Sequence, residues 1–206
     1  NFGGWLVLED WFFSGETGTQ VMSTGKAGQG VCLPPMLAGT KRTWPSEGIL
    51  VQRLHDDLGP ETTVKIFASH RESFVGEADF VRMRQLNLTM VRVPITWAAF
   101  ADALAPISPE LYGNHDPLSS SVVVPDPFYV GEAALVTVPR SMLLQLLQRC
   151  KKHGLKAVLD LHSMPGGSQE GTYNGVWPLP PAFWQSNVAV GKTTTTLKEA
   201  GMLIAK

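Results

Sequence analysis

The chain has 206 residues and a formal net charge of -1, with 44% hydrophobic and 17% charged residues, which excludes disordered, collagen-like and coiled-coil material and predicts one domain. Lysines and arginines are scattered through a nearly neutral sequence, so nucleic acid is not an expected partner. No apolar run approaches the roughly 20 residues that cross a bilayer, and the first five residues lack the basic start and apolar middle of a secretory leader, so a membrane span is not expected and a secreted protein would have lost its leader already.

In chain order, Trp-Leu-Val-Leu at 5–8 is a short apolar run that ends in Glu9, Asp10 and Trp11, and it reads as a first buried strand with polar residues at its tip. Residues 14–48 show no periodicity and are expected to be a long irregular connection, a length that commonly belongs to a functional lid or binding loop. Helical spacing follows at 49–58, stopped by Gly59-Pro60, and a second short helix is expected at 62–69. Over 77–87, Phe80, Met83 and Leu86, with Ala78 and Val81 beside them, make one apolar stripe, and Glu77 and Asp79 start it as the helix dipole prefers.

Met-Val-Arg-Val-Pro-Ile at 90–95 is strand-like, with Pro94 marking a strand about to finish. Residues 98–138 are rich in Pro, Ser and Gly and read as a second long insertion, with Ser119-Ser120-Ser121 and Pro125-Asp126-Pro127 as turn markers. The clearest helix is 139–153, where Met142, Leu143, Leu146, Leu147 and Cys150 share a face, cations sit at its end and Gly154 closes it. A strand at 155–161 follows directly, and 182–190 and 193–206 read as two helical pieces. This alternation points to an α/β fold with right-handed crossovers.

Two cysteines, Cys32 and Cys150, form at most one bridge, and Cys150 on an apolar helix face reads as a buried free thiol. Asn87-Leu88-Thr89 is a glycosylation sequon in the turn between a helix and a strand. There is no Cys/His cluster with ligand spacing and no glycine-rich phosphate loop, so no metal or cofactor is expected.

The chemistry gathers at strand ends. The strand at 155–161 delivers Asp160-Leu161-His162 into a Pro-Gly-Gly-Ser-Gln loop, and in parallel α/β sheets the carboxyl ends of strands are where sites form. A histidine there is either a site residue or a cap on a loop carbonyl. Arg92, flanked by valines and a proline, requires a partner because unpaired burial of a guanidinium is costly. Asp160, two residues before His162 on the same side of the strand, is placed to orient a neighbour or to serve structure alone.

Three blocks together carry a resemblance: Gly3-Gly4-Trp5-Leu6-Val7-Leu8-Glu9-Asp10-Trp11; then Phe74-Val75-Gly76-Glu77-Ala78-Asp79-Phe80 leading into Val91-Arg92-Val93-Pro94-Ile95; then Asp160-Leu161-His162 with Pro165-Gly166-Gly167-Ser168-Gln169. In order and spacing they resemble the first three βα units of family 5 glycoside hydrolases, nearest the fungal-type exo-β-1,3-glucanase branch. The resemblance implies a (β/α)8 TIM barrel of roughly 250 residues or more, of which residues 1–206 would be the N-terminal portion of a single domain, with long loops at 14–48 and 98–138.

It further implies retaining hydrolysis of β-glycosidic bonds, which needs two carboxyl groups about 5 to 5.5 Å apart. Family members carry the acid/base in an Asn-Glu motif on the fourth strand and the nucleophile on the seventh. No Asn-Glu dipeptide occurs in this sequence, so no catalytic glutamate is assigned in the chain and both are expected beyond Lys206. By the same resemblance Arg92 supports the nucleophile, while Glu9, His162, Asn174 and Trp11 bind substrate, a β-glucan or another β-linked polysaccharide. Trp97, Trp177 and Tyr173 are further candidates for stacking on sugar faces. Thr172 stands where the glucanases place an aromatic clamp, and Asp10 where they place a proline; both departures alter the rim of the cleft.

The resemblance implies a secreted or cell-surface enzyme whose barrel is completed by a C-terminal half or by other chains, since three strands cannot close an eight-stranded barrel. A non-catalytic barrel-derived structural or carbohydrate-binding component of an extracellular assembly stays open as the alternative.

Overall fold

The computed structural model describes residues 1–8, 45–103, 116–171 and 174–205. Glu9, Trp11, Cys32, Thr172 and Tyr173, most of the expected 14–48 connection and part of the 98–138 insertion lie outside the described residues. What is described is mixed α/β, with two small two-stranded sheets among its helices.

Helix α1 (Glu47–Leu58) buries Ile49, Leu50, Val51 and Leu54 and ends at Gly59, whose φ of 80° only glycine adopts without strain. Pro60 then takes the first position of α2 (Pro60–Phe74), where its missing N–H has no partner to lose. The Gly-Pro pair therefore starts a second helix at once, and α2 is longer than the 62–69 segment expected. Helix α3 (Glu77–Gln85) begins where Asp79 Oδ2 accepts from the Gly76 N–H at 2.7 Å, and Asn87, at φ 55°, turns the chain out of it. Its expected apolar stripe is only partly covered: Phe80 is buried and Met83 partly so, but Val81 is 42% and Leu86 57% exposed.

Strand β1 (Met90–Thr96) runs two residues past Pro94. Short strands β2 (Val123–Pro125) and β3 (Ala134–Val136) pair antiparallel within the stretch expected to be an irregular insertion. Helix α4 (Arg140–Lys152) buries Leu143, Leu146 and Cys150, as its periodicity predicts, and Gly154 at φ 70° turns the chain into β4 (Lys156–Ser163). Helix α5 (Asn187–Ile204) is one continuous helix, capped by Ser186, where two pieces were expected. Gly191 does not break it, and Thr194, Thr195 and Thr196 each donate a hydroxyl back to the carbonyl four residues earlier.

The apolar run at 5–8 is buried as expected, but it is a turn and not a strand. Trp5, Leu6, Val7 and Leu8 are each at most 5% exposed, while the Gly4 N–H donates to Val7 O at 3.1 Å across a local turn with Gly4 at φ 80°. Four consecutive apolar residues satisfy burial on several sides at once, so they do not by themselves specify a ladder.

Strands β1 and β4 pair in parallel, Met90 opposite Lys156 through Ile95 opposite Leu161, with a one-residue slip before Thr96 meets Ser163. Alternation along the pair sorts the side chains. Val91, Val93, Ile95, Ala157, Leu159 and Leu161 join the main core with Phe80, Leu143, Leu146 and Leu203, so the helices cover that face. Arg92 and Asp160 occupy the alternate positions, on the other face, and His162, the extra residue at the slip, meets them there. A second core joins α1, α2 and the β2–β3 hairpin through Leu50, Val51, Leu54, Phe67, Ala134 and Val136.

Candidate functional site

The parallel pairing gives both strands the same direction, so their carboxyl ends open together. Arg92 lies opposite Val158, two register positions short of Asp160. Its long side chain reaches forward across the strand gap, and Nη2 donates to Asp160 Oδ2 at 2.5 Å. His162, the next residue on that face, places Nδ1 3.0 Å from the same Asp160 oxygen and 3.1 Å from Arg92 Nη2. Arg92 Nη1 also donates to Asn1 Oδ1 at 3.3 Å. The side chains of Arg92, Asp160 and His162 are 41%, 30% and 23% exposed, so the cluster is accessible to solvent on the face away from the helices.

The loop leaving β4 is held by two buried polar side chains. Asp126, between two prolines and 1% exposed, accepts from the Phe128 N–H at 2.9 Å through Oδ1 and from the Gly166 N–H at 2.8 Å through Oδ2. Burial pushes its carboxyl above the ordinary carboxylate range, while the Gly166, Phe128 and Tyr129 amides pull it back. Gly166 and Gly167 both take positive φ; a Cβ on Gly166 would stand 2.6 Å from Phe128 and one on Gly167 2.6 Å from Val176.

Asn174, also 1% exposed, accepts from Val176 N at 2.7 Å and Trp177 N at 2.8 Å and donates to the Gln169 carbonyl. The polar atoms of Asn174 thus engage its own loop. Trp97 is buried at 4% exposure in a small core with Ala98, Val124 and Leu135, which is packing. Asn87 and Thr89 of the sequon are exposed.

The structure therefore brings together Arg92, Asp160 and His162, and sets Asn174 in the loop that follows them. Asp126 stands in the sequence as part of a turn; its Asp-between-prolines context is the signal for the loop brace it forms. Arg71 has no such signal. It is 3% exposed and donates to the carbonyls of Thr137 and Val136 at 2.6 and 2.9 Å, closing the end of β3, and burial pushes its guanidinium down to about 10 against the pull of Glu47. A cavity of about 680 Å³ lies elsewhere, between α1, α2 and the hairpin, lined by residues such as His55, Val64, Lys65 and Val130. The described residues that line it include none of the cluster residues and one carboxylate, Glu61.

Among the described residues no group of three or more His, Cys, Asp or Glu side chains is arranged to hold a metal ion. No described helix is long and apolar enough to cross a membrane. Cys150 is buried and unbridged, and burial pushes its thiol up.

No family model matches the chain. Curated proteins do. A probable glucan 1,3-beta-glucosidase A of Aspergillus niger is 29% identical over 195 residues, 95% of this chain and 34% of that protein. A probable glucan 1,3-beta-glucosidase of Arthroderma benhamiae is 28% identical over 200 residues, covering 96% of this chain and 35% of that protein. Glucan 1,3-beta-glucosidase 1 of Schizosaccharomyces pombe is 28% identical over 193 residues, 94% of this chain and 35% of that protein. The chain is thus related, over most of its length, to proteins named for the activity of the family 5 exo-β-1,3-glucanase branch that its motifs resemble. It spans about a third of the length of those curated relatives.

Proposed function

We propose that this chain supplies the substrate-binding front half of the active site of a retaining β-glycosidase that hydrolyses O-glycosyl bonds in β-glucan. The observation that carries the reading is the convergence of Arg92, Asp160 and His162 on one face of a parallel strand pair, in a chain whose relatives are named glucan 1,3-beta-glucosidases. The fold proposed is the front of a (β/α)8 barrel, in which β1 and β4 are neighbouring barrel strands, α3 and α4 lie outside, and the cluster faces the lumen.

In that barrel the two catalytic glutamates come from later strands. One protonates the leaving oxygen, and the other attacks the anomeric carbon to form a glycosyl-enzyme that water then opens. Arg92 holds the attacking carboxylate in its ionised form, a role suited to a planar fork of donors. His162, Glu9 and Trp11 contact the sugar, and Asn174 holds the loop after β4 that borders it. The protein is proposed to be secreted or at the cell surface, with a glycan on the exposed Asn87.

The test is hydrolysis of laminarin, a soluble β-1,3-glucan, by the natural polypeptide, followed by proton NMR of the first product. The reading predicts release of glucose as the β anomer, ahead of mutarotation. Absence of reducing-sugar release, or α-glucose appearing first, overturns it.

A further inference from the structure

We propose that Trp184 is an outer sugar-binding platform, on which a glucosyl ring of the β-glucan stacks beyond the ring held at Arg92, Asp160 and His162. The inference rests on the function proposed above and adds a second place at which the same polysaccharide is gripped.

Single exposed apolar side chains are common on protein surfaces. Trp184 differs because it is both exposed and held. It is 74% exposed, the highest value among the described large hydrophobic residues. Its Nε1 nevertheless donates to the Ser168 carbonyl at 2.8 Å, and its ring meets that of Phe183 edge to face, with centroids 4.7 Å apart and planes at 77°. Phe183 is itself 4% exposed, and its N–H donates to the Gly167 carbonyl at 3.1 Å, while the Ala182 N–H donates to the Gly166 carbonyl at 2.8 Å. The indole is thus tied by its polar atom and by its neighbour, with most of its apolar surface left in water. A tryptophan has two side-chain torsions to fix, so a ring already held loses little entropy when a ligand covers it.

Position joins this ring to the cluster. Gly166, Gly167 and Ser168 belong to the loop that leaves the carboxyl end of β4, and Ser168 lies six residues past His162, at most about 22 Å away along a fully extended chain. Trp184 therefore stands at the same end of the strands as the cluster, within the reach of one polysaccharide chain.

The chemistry around the indole suits a sugar. A β-linked glucose ring carries its hydroxyls around its edge and C–H groups on its faces, so a face sheds water against an aromatic ring while the edge bonds polar groups. Exposed chain neighbours of Trp184 and of its Ser168 anchor are Gln169, Glu170, Gln185 and Asn187, which supply both donors and acceptors for hydroxyls. Val188, 69% exposed in the first turn of α5, is the apolar exception.

The test is calorimetric titration of the natural polypeptide with sulfur-linked β-1,3-gluco-oligosaccharides of two to six rings, which resist hydrolysis. Affinity is expected to step up by about tenfold at one chain length above two rings, the scale of one aromatic stacking contact. Trp184→Ala is expected to remove that step and leave the shorter ligands unchanged. Trp184→Phe, which keeps an aromatic face and loses the N–H, is expected to keep most of it. A step that survives in Trp184→Ala overturns the proposal, as does a loss equal at every length. A loss in Trp184→Phe as large as in Trp184→Ala also overturns it, because the bond to Ser168 and not the ring would then be what matters, and a lowered thermal midpoint with unchanged binding would make Trp184 a packing residue. Titration needs no turnover, so laminarin hydrolysis without the step removes the platform alone, and the step without hydrolysis removes the glycosidase reading alone.

Discussion

At the scale of single residues, burial of polar groups decides which side chains matter. His70 is 4% exposed and keeps one ring nitrogen on the Gly4 carbonyl, yet burial lowers its pKa from the ordinary 6.5, ahead of the opposing hydrogen bond and with Arg71 adding to the depression. The unfolded chain therefore binds this proton more readily than the folded one. The stability that the neutral ring contributes is full above pH 6.5 and is lost as pH falls from there through the depressed folded value. Urea unfolding is expected to show the midpoint falling more steeply from pH 7 to pH 5 in the unaltered chain than in His70→Gln. The slope from this one proton is limited to about 1.4 kcal/mol per pH unit. Equal slopes in the two proteins would assign the acid sensitivity to other groups.

At the scale of elements, amphipathic helices are legible and short strands are not. Leu143, Leu146 and Cys150 recur at helical spacing and are buried, so the face of α4 is read directly from the letters. Strands β2 and β3 have three residues each, too few for a period to show, and they sit among the prolines and serines that mark loops. The apolar 5–8 run errs the other way, since it is buried like a strand but closed by a turn at Gly4. The expected helical pieces 182–190 and 193–206 leave Gly191 between them, although one glycine inside a helix costs only about 0.5 to 1 kcal/mol relative to alanine. A Cβ at Gly191 meets nothing within 4 Å. Gly191→Ala is thus expected to stabilise the chain by about 0.5 to 1 kcal/mol, seen as a higher thermal midpoint; a lowered midpoint would mean that this position is crowded or not helical.

At the scale of the molecule, two faces of one strand pair separate stability from chemistry. The face toward α3, α4 and α5 carries the valines and leucines of the main core, and the opposite face carries Arg92, Asp160 and His162. That division was half visible in the sequence. The strand at 155–161 and the arginine among valines are readable, and alternation puts Asp160 and His162 on one side, but nothing in a linear pattern states that β1 lies beside β4 in a register that lets Arg92 reach both. Nor does it distinguish Asn174 as a residue facing substrate from Asn174 bracing its own loop at 1% exposure.

In the proposed enzyme the face of Arg92, Asp160 and His162 meets the sugar, and the 680 Å³ cavity between α1, α2 and the hairpin does not. Calorimetric titration with laminaritriose of the unaltered chain, His162→Ala and Val130→Asp tests it most directly, because Val130 lines that other cavity. Binding is expected to be saturable, to weaken about tenfold in His162→Ala, the loss expected for one hydrogen bond of about 1.4 kcal/mol, and to be unchanged in Val130→Asp. No binding by the unaltered chain, or a loss confined to Val130→Asp, would contradict it.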